Sequence, residues 1–367
     1  MKQAVAIAFL ICSLCYSNPV FGAHSQQEEV TISVQSSPSA SYVTSVTIQS
    51  RPFVKGIADA RQSDGKGVGT WAADVTLTLK RGDHTLSWIV DEDGTLLDLE
   101  KQKRLHPSPP VQRKLQVIAD QLRIKHYGDL TAWPEVDTVL PKKARFQIID
   151  LETGLTFRVQ RRAGDQHADV QPLTREDTKT FKKIYNGKWS WNRRAVLVKT
   201  DDRVIAASMN GMPHGRGSLR NGFPGHFCVH FYGSTTHRSQ HVDLLHHLMI
   251  YKAAGRLDDY FRQLSPFDLI DVFIATFNLH DRHTLNMTLA EFGRSHNRVV
   301  DTLDGIVSIT RHAPFAQGHV SAQFAADIPV TVRLYRPGGD ERAVFRFLVT
   351  RDVLEQRWEI SDVQRDQ

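Results

Sequence analysis

Four histidines and one cysteine crowd into His214–His237, which reads HGRGSLRNGFPGHFCVHFYGSTTH. A thiol attacks a carbonyl only as thiolate, and a nearby imidazole is the commonest way to hold that state. His214 stands fourteen residues before Cys228, with Gly215, Gly217, Gly222, Pro224 and Gly225 between them. A loop of that composition can carry a strand-end histidine back to a cysteine on the next strand. Cys228 is therefore a candidate nucleophile for acyl transfer and His214 its base.

Strand geometry supports a second chemistry. Alternate side chains of a strand share a face, so His226, Cys228 and His230 point together. Two imidazoles and a thiolate are ordinary zinc ligands, and His167, Asp169, His214 and His237 or His241 are supporting candidates. Eight of the seventeen histidines fall between His167 and His247, which favours a site. The spacing lacks the HExxH pattern of a helical zinc peptidase. A third reading makes HFCVHF a core strand, with Phe227, Val229 and Phe231 buried and the histidines half-exposed behind them. His246 and His247 fall on a helix and read as surface or packing residues. Trp189 and Trp191 in KWSWNRR either stack on sugar rings or pack in a core.

The elements that must position these residues occupy 144–256, a β-rich unit. RFQIIDLETGLTFRVQRR from Arg145 reads as two strands around Glu152-Thr153-Gly154, and RAVLVKT with RVIAASMNG as a second hairpin around Asp201-Asp202. Thr174-Arg175-Glu176-Asp177 opens a capping-box helix with Phe181, Ile184 and Tyr185 on one face and Gly187 after its end. VDLLHHLMIYKAAG gives a further helix ending before Gly255.

The pair His214-Gly215 followed by Gly225-His226-Phe227-Cys228-Val229-His230 resembles the catalytic signature of the L,D-transpeptidase (YkuD-like) family, and FQIIDLETGLTFRVQ resembles its first hairpin. The resemblance implies Cys228 as nucleophile, His214 as base and His226 as the second histidine, with Gly225, Phe227, His230 and His237 around the substrate. It implies no cofactor; the metal alternative implies zinc on His167, Asp169, His226, Cys228 and His230. Phe227 stands where the family carries glycine, and His230 where it carries arginine. HADV…MNGMPH…GHFxxHF is also similar to secreted wall-associated proteins of spore-forming bacteria.

The flanks read differently. Residues 26–97, with an FVKG opening and a VTL-turn-HTL hairpin, resemble the immunoglobulin-like β-sandwich modules of bacterial surface proteins. Residues 98–143 read as a linker with one short helix, since HPSPP at His106–Pro110 stops both helix and central strand. Residues 262–367 open on an apolar helix at Ser265-Pro266 and continue as an antiparallel meander, resembling the NTF2-like α+β fold. The fold class expected is thus multidomain, mainly β and α+β.

Composition sets the class of partner. With 41% hydrophobic and 23% charged residues the chain has the makeup of a globular protein. Lys2, the apolar run Ala4–Cys15 and the small Gly22 and Ala23 read as a signal peptide over 1–22, leaving Cys228 as the single thiol of an exported chain. The run is too short for a membrane span, and no later segment is long and apolar enough. A formal charge of +6 favours peptidoglycan or another anionic wall polymer. The basic residues are scattered without an aromatic-basic module, which argues against nucleic acid. The expectation is an extracytoplasmic protein acting on peptidoglycan by cysteine acyl transfer, with a zinc-dependent hydrolase and a non-enzymatic wall-binding protein as alternatives. Nothing in the sequence fixes an oligomeric state.

Overall fold

The computed structural model describes residues 28–65, 73–236, 242–290, 299, 302–315, 324–354 and 356–366. The expected leader at 1–22, and His237 and His241, lie outside these residues.

The N-terminal unit contains β1 (Glu29–Val34), β2 (Thr44–Ile48), α1 (Arg51–Ala58), β3 (Arg61–Asp64), β4 (Val75–Arg81), β5 (His84–Val90), β6 (Leu96–Asp98) and β7 (Lys103–His106). All seven strands join one sheet in the order β2-β1-β4-β5-β6-β7-β3. Two facing sheets ending near Leu97 were expected; instead one sheet runs on to His106, and helices cover its apolar face. Val30, Ile32 and Val34 alternate inward beside Leu77 and Leu79. Phe53, Val54 and Ile57 of α1 share one helical face over them, and Leu115, Ala119 and Leu122 of α2 (Pro109–His126) complete the cluster. The segment 98–143 is accordingly more than a linker. Pro109 occupies the first turn of α2, where its missing N–H costs no bond, and the helix runs for eighteen residues. Trp133 and Val136 of α3 (Trp133–Val139) enter the core of the next unit.

That unit is a closed six-stranded antiparallel barrel of β8 (Arg145–Asp150), β9 (Thr156–Ala163), β10 (Ala168–Pro172), β11 (Ser190–Lys199), β12 (Val204–Gly211) and β13 (Phe227–His230), in the order β10-β13-β12-β11-β8-β9. Both expected hairpins form, β8 with β9 and β11 with β12. The Thr174–Asp177 capping box starts α4 (Arg175–Ile184), whose Phe181 and Ile184 are buried against Phe157 and Phe227 in the barrel core. The helix α5 (Leu244–Ala253) lies across β11 and β12, capped by Asp243, whose side chain accepts from the backbone amides of Leu245 and His246.

The C-terminal unit contains α6 (Leu257–Gln263), α7 (Pro266–Leu279), α8 (Arg282–Asn286) and a four-stranded antiparallel sheet of β14 (Ser308–Arg311), β15 (Ala325–Arg336), β16 (Gly339–Thr350) and β17 (Glu359–Arg365). Ser265 caps α7 at the expected Ser-Pro start, and His280 ends it in the left-handed conformation. Leu269, Phe273, Phe345 and Phe347 share one buried cluster with Leu151, Leu197 and Ala206 of the barrel, so the two units have a continuous core. The described chain is thus mainly β with helices laid on three sheets, and no described helix is long and apolar enough to cross a membrane.

Candidate functional site

Strand β13 sorts its side chains as alternation requires. Phe227, Val229 and Phe231 are buried in the barrel core, while His226, Cys228 and His230 lie on the outer face. Pairing with β10 sets Asp169 directly opposite Cys228 and Ala168 opposite Val229, so His167 and Asp169 join the same outer face. Ser208 of β12 pairs with His230. On this face α5 brings His246, which stacks on His230 with ring centroids 3.8 Å apart and whose Nδ1 lies 2.9 Å from the Ser208 hydroxyl.

The loop between the two halves of the motif is held closed by backbone. His214 and His226 exchange both amide hydrogen bonds, each 2.9 Å. Gly215 (φ +62°) and Gly225 (φ +122°) make that approach feasible: a Cβ on Gly215 would lie 2.2 Å from the His226 ring, and one on Gly225 2.3 Å from the His214 carbonyl. Gln171 of β10 accepts from the amides of Ser218 and Leu219, and Asn221, also buried, donates to the Pro172 carbonyl. The loop is therefore part of the barrel's bonding rather than a free excursion.

Four polar side chains converge on the Asp169 carboxylate. His167 Nε2 lies 3.4 Å from Oδ1, His214 Nε2 3.8 Å from Oδ1, His226 Nε2 3.6 Å from Oδ2, and Cys228 Sγ 3.7 Å from Oδ1. Cys228 Sγ is also 3.3 Å from His214 Nε2. Backbone carbonyls fix two of the tautomers. His167 Nδ1 lies 2.9 Å from the Thr235 carbonyl and His214 Nδ1 3.2 Å from the Met212 carbonyl. A carbonyl only accepts, so each Nδ1 carries a proton, and the Nε2 of each ring faces the carboxylate.

The electrostatics follow from that geometry. Burial works against the Asp169 carboxylate, but hydrogen bonds from His167 and His214 prevail and hold it well below the usual carboxylate range. The bond to Asp169 raises His214 against the opposing effect of its burial. Burial, reinforced by the Asp169 charge, pushes the Cys228 thiol far up, away from a free thiolate at neutral pH. Burial also keeps His230 and His246 neutral. Within the described residues His230 Nδ1 is buried with no hydrogen-bond partner.

Among the described residues, two sets of side chains have ligand atoms close enough to share one ion: Asp169, His214 and His226, partly open to solvent, and His167, Cys228 and His230, buried. Of the expected catalytic set, His214 touches both Cys228 and His226. The expected metal set is divided: His167, Cys228 and His230 fall in one group and Asp169 and His226 in the other, linked through the Asp169 carboxylate. Gly225 shapes the loop, whereas Phe227 faces the barrel core. His246 and Ser208, which complete the outer face, were not singled out from sequence as site residues. Ser208 stands directly before the MNGMPH motif, but only the register of β12 and β13 places it opposite His230, and only the seat of α5 brings in His246.

The chain matches no family model, and no curated protein matches it.

Proposed function

We propose that the outer face of β13 is a zinc-type metal centre of a hydrolase, with Asp169, His214 and His226 as the ligands and Cys228 and His167 at its flank. One observation carries the reading: the ligand atoms of Asp169, His214 and His226 all lie within 4.8 Å of one another, with His214 Nε2 at 3.8 Å and His226 Nε2 at 3.6 Å from the carboxylate. The spacing is long for a hydrogen bond, but ligand atoms around tetrahedral zinc sit about 3.3–3.6 Å apart, given Zn–N near 2.0–2.1 Å and Zn–S near 2.3 Å. A zinc-ligating histidine usually donates its other ring nitrogen to a backbone carbonyl, which fixes the ring's orientation, as His214 does to Met212. Asp169, His214 and His226 would hold the ion, which would supply an acidified water and a Lewis acid for a scissile carbonyl.

The proposed substrate is peptidoglycan outside the cytoplasm. The net charge of +6, the signal-like pattern at 1–22 and the YkuD-like and NTF2-like resemblances of 144–256 and 262–367 support it. Elemental analysis of the purified full chain should find about one zinc per molecule. His226→Ala and Asp169→Asn should lose it while circular dichroism stays unchanged. A wild type that takes up no divalent metal sinks the proposal.

A second reading, cysteine acyl transfer of the L,D-transpeptidase type, is favoured by one contact: His214 Nε2 lies 3.3 Å from Cys228 Sγ, within the reach a general base needs. Against it stands the Asp169 charge beside the thiol. A carbapenem-type probe that labels the wild type and not Cys228→Ala would favour this chemistry over the metal centre.

A further inference from the structure

An open groove of about 660 Å³ runs from Trp191 along α7 to β14, between the barrel and the C-terminal unit. Its near end adjoins the centre described above. The pairing of β11 with β12 skips from Ser190 to Arg193, which releases Trp191 from the ladder. Its ring is 53% exposed and stacks at 24° beside the His214 imidazole, centroids 6.4 Å apart. An indole left in solvent at the mouth of a groove offers an apolar face to a planar or ring-shaped ligand.

The rest of the lining decides what kind of molecule fits. Arg193 is paired with Asp243 at 2.6 Å, and Arg311 with Asp271 through two contacts of 2.8 and 3.1 Å. The groove therefore offers planar, charge-neutralised polar groups beside Ile274 and Leu245, with no uncompensated Arg or Lys among its described lining residues for a polyanion. Sugar rings have this pattern in reverse: an apolar C–H face for an indole and hydroxyl edges for paired polar groups.

We infer that the groove binds a neutral glycan segment, with Trp191 as the stacking platform that presents the next group of the chain to the Asp169–His214–His226 centre. The inference rests on the metal-centre reading for what happens at that end, and binding itself does not require the ion. The test is titration of the full chain with an N-acetylglucosamine hexamer, followed by calorimetry, on zinc-loaded and EDTA-treated protein. Saturable binding is expected in both forms. Trp191→Ala, and Ala275→Trp that fills the groove from α7, should each weaken it about tenfold or more without changing the zinc content. No binding of the hexamer, equal binding by both variants, or displacement of it by a polyglutamate of similar length overturns the inference. If the preparation holds no zinc yet binds the hexamer through Trp191, the groove stands and the metal centre falls.

Discussion

At the residue scale the central contact is Asp169 against Cys228, fixed by direct opposition on β10 and β13. Without a cation this contact disfavours thiolate, because burial and the adjacent carboxylate both act against a second negative charge. The EDTA-treated protein should therefore alkylate slowly with iodoacetamide at pH 7, its rate still climbing well above the pH at which an ordinary thiol levels off. Asp169→Asn removes the neighbouring charge and should shift that profile to lower pH. An unchanged profile would mean that the carboxylate does not control the thiol. Much of this site was legible in the chain: the i, i+2, i+4 spacing of His226, Cys228 and His230 specified one face before any partner was known. Asp169 was only a supporting candidate, because a register between strands almost sixty residues apart is not written in either strand. His246 is an instance of the same limit. Almost every residue of α5 is buried, so helical spacing does not tell which face meets β13.

At the scale of elements, the strands and caps follow from local pattern and the sheets do not. The Thr174–Asp177 box, the Ser265-Pro266 start of α7 and both barrel hairpins are local signals and occur where they were read. Alternation in TISVQ and VTLTL called strands correctly but is silent on whether a second sheet or a helix covers them. In the structure α1 and α2 do so. The end of α2 carries its own pH dependence. His126 is fully buried, with Nδ1 3.0 Å from the Thr44 hydroxyl, and burial lowers its pKa to about 4 against a weaker pull from Asp74. Between pH 6.5 and 4 the unfolded chain binds a proton that the folded one refuses, so stability is present at neutral pH and falls as pH falls. The loss from this group is roughly 3 kcal/mol over that window. His126→Gln should flatten the change in urea stability between pH 7 and 5; an equally steep change in the variant would assign it to other groups.

At the scale of the whole molecule, the barrel and the C-terminal unit are joined by one core and the N-terminal sheet keeps its own. Phe261 of α6 is fully buried in the shared cluster. Phe261→Ala should cost about 3–5 kcal/mol and lower the melting of both units together. A variant in which the barrel retains its melting temperature while the C-terminal sheet melts early would contradict a common core. This union also gives the centre a built-in wall, since the helix that seats His246 against His230 is packed on its far side by the C-terminal unit. The most direct test of the central claim is a crystal structure of the protein grown with zinc, with anomalous diffraction collected on both sides of the zinc edge. A zinc centre gives a single strong peak about 2.0–2.2 Å from Asp169, His214 Nε2 and His226 Nε2. The absence of any peak there at full zinc loading, with the His214 and Cys228 side chains still in contact, would contradict it.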